Sequence, residues 1–174
     1  MKSSKKRLPD TLICIWSLMY LLFLLWAILW KCGTPFIGDG SLRSVNLIPF
    51  RANAEWELQI NLILFIPSGY CLGAANPTCR FGRNVLTVFC LSFLLELIQY
   101  MLAVGRSDVT DLILNVCGGL IGILFFKAVQ MFWKRKERTV SLILCGLVFA
   151  AVMYILLAIL FLGYIPLGFM ILRI

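Results

Sequence analysis

Residues 84–133 read NVLTVFCLSFLLELIQYMLAVGRSDVTDLILNVCGGLIGILFFKAVQMFW and contain the clearest structural signal in the chain. Two long apolar runs, 84–104 and 108–133, are separated only by the short turn Gly105-Arg106-Ser107. Each run has the roughly twenty residues that a helix needs to cross a hydrocarbon core. The stretch therefore predicts two consecutive membrane-spanning helices that run in opposite directions.

The rest of the chain contains three more apolar runs of membrane-spanning length, at 11–30, 56–75 and 140–163. Of the 174 residues, 61% are hydrophobic and 14% are charged. A soluble domain has roughly 45–50% apolar and about 25% charged residues, so the composition excludes a soluble globular protein. We therefore predict an all-α fold, a polytopic membrane bundle of about five transmembrane helices, which forms a single membrane domain over residues 1–174.

The first and last apolar runs need separate interpretation. No small-residue cleavage site follows the first run, so we expect a retained helix rather than a signal peptide. The last run continues beyond residue 163 and exceeds the length of one crossing. We expect the tail after Gly163 to lie at the membrane interface.

Lys and Arg are distributed unequally between the segments that join the predicted helices. Eleven of the 16 lie in 1–10, 76–83 and 127–138, which fall on one side of a five-helix protein. Because such an excess marks the cytoplasmic side, we predict a multi-pass cell-membrane protein with a cytoplasmic N-terminus and an outward 31–55 loop. The net charge of +8 does not indicate a nucleic-acid partner, since no basic face interleaved with aromatic residues lies outside the spans.

The residues available for chemistry are limited. The chain has no histidine, which excludes His-based triads and HExxH zinc sites. Its seven cysteines include no C-x-x-C pair, and most lie in apolar runs where a thiol behaves as a small hydrophobe. We therefore predict no metal site, no cofactor and no structural disulfide.

Polar residues repeat at helical spacing in the outer half of three predicted spans. Ionisable residues there are costly, about 2.5–3.5 kcal/mol for a carboxylate at the helix centre. We therefore expect the three polar faces to turn towards each other and form one polar cavity that opens to the outside. The three sets are Glu57, Asn61 and Ser68 in the second span, Ser92, Glu96 and Gln99 in the third, and Asp108, Asp111 and Asn115 in the fourth.

Several of these polar residues also have ordinary structural explanations. Asp108 is a natural N-cap for the fourth span, and Asp111 follows it near the positive end of the helix dipole. The amides of Asn61, Gln99 and Asn115 are equally explained as hydrogen bonds between helices. Both interpretations stay open at this point.

Two arginines are predicted at the outer mouth of the cavity. The guanidinium groups of Arg51 and Arg106 suit a phosphate or a carboxylate, and they also suit contact with lipid headgroups. The residues that we interpret as helix packing are Ser68, Ser92 and two G-x-x-x-G pairs, Gly69 with Gly73 and Gly118 with Gly122.

The same residues resemble the VanZ-like family of bacterial membrane proteins, over about residues 46–126. This resemblance implies a multi-pass protein of the cell membrane that is linked to lower susceptibility to teicoplanin, a glycopeptide with an acyl chain. It does not by itself imply a reaction. The residues that carry it are Asn46-Leu47-Ile48-Pro49-Phe50, Glu57 through Asn61, Phe65-Ile66-Pro67-Ser68-Gly69, Glu96-Leu97-Ile98-Gln99, Asp108-Val109-Thr110-Asp111, Asn115, Gly118-Gly119 and Gly122.

Our first functional hypothesis is a non-enzymatic binding or shielding protein. Its partners would be membrane lipids, a cell-wall lipid precursor or the lipoglycopeptide itself, and a homo-oligomer is left open. In this hypothesis the arginines hold anionic groups, while the carboxylates and amides bind sugar or amine groups. The predicted ligand-binding residues are Asn46, Arg51, Glu57, Asn61, Glu96, Gln99, Arg106, Asp108, Asp111 and Asn115.

Two alternatives remain. An intramembrane enzyme that modifies a lipid or cell-wall lipid precursor would use Glu96 and Asp111 as acid and base, because burial raises a carboxyl pKa towards neutrality. A small transporter would need a polar path through the membrane. In the inner half of the spans we identify only Ser17, Thr87 and Gln130 as polar, so the sequence shows no such path.

Overall fold

A computed structural model describes residues 8–30, 45–46, 48–49, 55–102 and 107–162, and within them the chain is almost entirely helical. Five of its helices are long and apolar enough to cross a membrane, which confirms the predicted all-α membrane architecture. The elements in chain order are α1 (Leu8–Trp30), β1 (Val45–Asn46), α2 (Glu55–Ala75), α3 (Phe81–Leu102), β2 (Ser107–Asp108), α4 (Val109–Phe132) and α5 (Glu137–Leu162).

Three helices begin three residues earlier than the apolar pattern predicts. α1 begins at Leu8 rather than residue 11, α3 at Phe81 rather than residue 84, and α5 at Glu137 rather than residue 140. The carbonyl of Arg80 accepts hydrogen bonds from the backbone of Arg83 and Asn84. The helix therefore begins before the first residue of the predicted apolar run, because charged side chains are tolerated where a helix reaches water. The predicted interfacial tail after Gly163 lies outside the described residues.

α2 and α4 form the most extensive helix pair, and their backbones touch. A methyl group added at Gly69 would overlap the carbonyl oxygen of Gly119, and one added at Gly122 would overlap that of Ile66. Gly118 meets the Leu62 carbonyl in the same way, and Gly73 meets the Phe126 side chain further along both helices. The order of the Leu62, Ile66 and Gly73 contacts along α4 shows that the two helices are parallel. The predicted role of the G-x-x-x-G glycines in close packing is confirmed.

α3 runs antiparallel to this pair and packs chiefly on α4. A methyl group at Gly119 would overlap the side chain of Val88. Nearer the start of α4, the backbone N–H of Asp108 donates a hydrogen bond to Glu96. We call the end of the bundle where α3 finishes and α4 begins the site end, and the end with the α2–α3 turn the opposite end.

α1 and α5 pack on each other and on α2. The Tyr70 hydroxyl and Ser141 Oγ are 3.2 Å apart, and the Arg138 guanidinium donates to the Ala74 carbonyl at 2.9 Å. The buried polar residues Ser141 and Asn84 also lie in the opposite half of the bundle, where the sequence pattern predicts only Ser17, Thr87 and Gln130. The Ser141 hydroxyl is engaged with Tyr70, because a buried hydroxyl between apolar helices needs a hydrogen-bond partner.

Candidate functional site

A cluster of buried polar side chains lies at the site end, between α2, α3 and α4. Each member is 8% exposed or less, so the polar faces turn into the bundle and away from lipid, as the spacing predicts. This orientation spares the carboxylates the cost of facing hydrocarbon. We call the set the polar cluster; its members are Asn61, Ser92, Glu96, Gln99, Asp108, Thr110, Asp111 and Asn115.

Asp108 connects three parts of the chain at the rim of this cluster. Its Oδ1 accepts a hydrogen bond from the Thr110 backbone N–H at 2.8 Å, and its φ of −124° and ψ of 127° are those of an N-cap. Its Oδ2 accepts from Asn46 Nδ2 at 2.9 Å, and its own N–H donates to Glu96 Oε2 at 3.2 Å. The predicted capping role is confirmed, and Asp108 also ties α3 and β1 to the start of α4.

Asn46 reaches the cluster through a short parallel pairing of β1 with β2. Val45 pairs with Ser107 and Asn46 pairs with Asp108. Asn46 Oδ1 also accepts from the Ile48 backbone N–H at 3.2 Å, which turns the chain directly after the pairing. The Nδ2 group of Asn46 therefore holds this part of the 31–55 segment against Asp108, the N-cap of α4, while its Oδ1 stabilises the turn at Ile48.

Ser92 and Asn115 form the deep end of the cluster. On α3, Ser92 lies one turn below Glu96 and one turn above Val88. On α4, Asn115 lies one turn above Gly119, the residue that packs on Val88. Both residues therefore lie between the Glu96–Asp108 contact and the Val88–Gly119 contact.

Two polar atoms at the deep end have no hydrogen-bond partner among the described residues. Ser92 Oγ and Asn115 Oδ1 are buried and have no hydrogen-bond partner in the described part of the chain. Ser92 is fully buried and Asn115 is 2% exposed. The sequence pattern places Ser92 one turn from Glu96 on the same helix face but by itself indicates only a packing role for it.

The charges of the cluster are acidic in the described part of the chain. Glu96, Asp108 and Asp111 supply its carboxylates, whereas the described Lys and Arg residues all belong to the opposite half of the bundle. Within the described ranges, no group of three Cys, Asp or Glu side chains is placed to hold a metal ion. In the described part of the chain, the cluster therefore combines three carboxyl groups with the amide and hydroxyl groups of Asn61, Ser92, Gln99, Thr110 and Asn115.

Three of the predicted ligand-binding residues cannot be placed relative to this cluster. Arg51 and Arg106 lie outside the described residues. Glu57 belongs to α2, and its side chain also lies outside the described part. The structure brings together the other predicted positions from α2, α3 and α4 and adds Ser92 and Thr110; their binding of a ligand stays a prediction.

Comparison with known proteins places the same segment in a recognised group. Residues 17–134 match the family model described as VanZ/LLP1. The chain is similar to Protein VanZ from Enterococcus faecium, with 31% identity over 132 residues, which are 74% of this chain and 82% of that protein. No solved structure gives a significant match to the chain. The matched segment includes every member of the polar cluster.

Proposed function

The chain belongs to the VanZ/LLP1 family, and from this membership we propose that it is a multi-pass cell-membrane protein that lowers susceptibility to teicoplanin-type lipoglycopeptides. In this proposal the polar cluster faces the cell exterior. It binds or shields a lipid, a cell-wall lipid precursor or the drug. The observation that carries the proposal is the burial of Glu96, Asp108 and Asp111 at one end of an apolar bundle.

The hydrogen bonds of two carboxyl groups support a binding role. Glu96 accepts a backbone hydrogen bond, and Asp108 accepts one through each of its carboxylate oxygens. Both groups are therefore positioned acceptors, because their donors fix the orientation of each carboxylate. A positioned acceptor in a low-dielectric site binds donor groups strongly.

Teicoplanin susceptibility of a strain that lacks the gene, complemented with wild type or variants, tests the proposal. Glu96→Gln retains a carbonyl acceptor for the Asp108 N–H, and Asp111→Asn retains the size of that side chain. We expect both to lower the resistance several-fold at equal protein level in the membrane. Glu137→Gln makes the same chemical change in the first turn of α5 and should leave resistance at the wild-type value.

Two further measurements on these strains separate the rival functions. A glycopeptide without an acyl chain should show a smaller difference between strains if the cluster responds to lipoglycopeptides. A lipid profile that changes on deletion, and again with Asp111→Asn, would favour the lipid-modifying enzyme instead. Resistance that is unchanged in Glu96→Gln and Asp111→Asn would refute a role for the cluster.

A further inference from the structure

We propose that the deep end of the polar cluster binds a hydrogen-bond donor on a lipid headgroup, either a protonated amine or a sugar hydroxyl. The inference rests on the proposed binding function and adds the chemistry of the ligand. An anionic group of the same headgroup would remain nearer the rim.

The first argument is the chemical identity of the unsatisfied atoms. Asn115 Oδ1 is buried without a hydrogen-bond partner in the described chain, and an amide oxygen can only accept. Ser92 Oγ is also unpartnered there, and a hydroxyl can accept as well as donate. Because an unmet buried acceptor bears the full cost of its desolvation, a donor group is what would satisfy Asn115 Oδ1.

The second argument is the charge above these atoms. Glu96 lies one turn outward of Ser92 on α3, and Asp111 lies one turn outward of Asn115 on α4. Both carboxylates are buried, at 7% and 8% exposure. An anionic group that moved past them would be repelled in a medium of low dielectric, whereas an ammonium or hydroxyl group gains hydrogen bonds at each step.

The third argument is the close packing beneath the deep end. The Gly118 backbone is in contact with the Leu62 carbonyl, and Gly119 is in contact with Val88. Asn61, the neighbour of Leu62, belongs to the same level on α2. A donor group that enters from the rim therefore meets Asn115 and Ser92 before it meets a wall of backbone and apolar side chains.

Matched lipid pairs test the inference on the purified full-length protein. Phosphatidylethanolamine and phosphatidylcholine with identical acyl chains differ in whether the headgroup nitrogen can donate a hydrogen bond. Monoglucosyl diacylglycerol and its derivative with all sugar hydroxyls methylated differ in whether the sugar can donate a hydrogen bond. The readouts are the melting temperature in nanodiscs and the lipid retained in native mass spectrometry. We expect the donor-bearing member of at least one pair to raise both, and the responding pair identifies the source of the donor.

Variants at the deep end link this selectivity to the two atoms. Asn115→Leu and Ser92→Ala should abolish the difference between paired lipids, while Asn115→Asp retains an acceptor and should retain preference for the ethanolamine lipid. Asn84→Leu is the matched control, because Asn84 is equally buried on α3 but at the opposite end. Its lipid selectivity should equal that of wild type. The melting temperature in phosphatidylcholine shows whether each variant is folded, and Ser92→Ala carries the test if Asn115→Leu is not.

Equal melting temperatures and equal retention within both pairs would overturn the inference; a single trapped water at the deep end would give that result. Selectivity that survives both Ser92→Ala and Asn115→Leu would overturn it too, because the donor would then bind elsewhere. A different result would refute the proposed function without affecting this inference. Teicoplanin resistance that is insensitive to Glu96→Gln would refute that function while the lipid selectivity stands.

Discussion

Asn46 Nδ2 donates a 2.9 Å hydrogen bond to Asp108 Oδ2, and the two residues are also paired across the β1–β2 bridge. The other atoms of both side chains are already engaged, with the Ile48 and Thr110 backbone N–H groups. A segment that precedes α2 is thereby fastened to the first residues of α4. In the described part of the chain, this contact and the hydrogen bond from the Asp108 N–H to Glu96 together organise the rim of the polar cluster.

Exchanging the two side chains tests the contact. Asn46→Asp alone opposes two carboxylates, and Asp108→Asn alone opposes two amide groups, so each should destabilise the fold by about 1–3 kcal/mol. The double variant Asn46→Asp/Asp108→Asn recreates the hydrogen bond in reverse and keeps a side-chain acceptor for each of the backbone N–H groups of Ile48 and Thr110. Its melting temperature in detergent should recover most of the loss. Additive losses in the double variant would contradict the contact.

The glycine contacts between α2 and α4 predict a strong dependence on position. Gly122→Ala places a methyl group on the Ile66 carbonyl and the Tyr70 nitrogen, backbone atoms that cannot rotate away. We expect destabilisation of about 1–3 kcal/mol from the forced separation of the helices. Gly82→Ala has open space around the new methyl group and should leave the melting temperature within experimental error. Similar effects at both positions would argue against the parallel α2–α4 packing.

The cysteines of α2 and α5 offer a chemical test of the bundle. Cys71 Sγ and Cys145 Sγ are 3.8 Å apart in the protein interior. A membrane-permeant azo oxidant, which accepts two electrons and two protons, should join them as a disulfide and reduce by two the cysteines labelled by maleimide after denaturation. Cys71→Ser should show no such reduction. An equal loss of labelling in Cys71→Ser would place the reacting cysteines elsewhere.

The predicted orientation can be measured in intact cells. On a background without the native cysteines, Ile48→Cys introduces a thiol at the site end and Lys136→Cys introduces one at the opposite end. Both native side chains are exposed. Because basic segments remain in the cytoplasm, a membrane-impermeant maleimide should label the first variant in intact cells and the second only after lysis. The reverse pattern would place the polar cluster on the cytoplasmic side and refute an external ligand site.

Much of the architecture follows from local pattern. The lengths and composition of the apolar runs predict the five helices, since insertion into a membrane depends on the hydrophobicity of each segment separately. The helical spacing of Glu96 with Gln99, and of Asp108 with Asp111, predicts which faces turn inward. The first residues of α3 and α5 are harder to predict from hydropathy than the apolar middle of each helix. Backbone hydrogen bonding extends a helix into polar residues at its start.

Hydrophobicity and helical periodicity, both local properties, were enough for the sequence alone to determine the number of helices, their order and their inward faces. Which faces meet, and at what depth, was decided only by tertiary packing. The glycine backbone contacts set α2 against α4, and the Val88–Gly119 contact aligns Ser92 with Asn115. The pairing of Asn46 with Asp108 joins residues far apart in the chain. Such contacts depend on shape and on hydrogen-bond partners brought together by other helices, which no local pattern records.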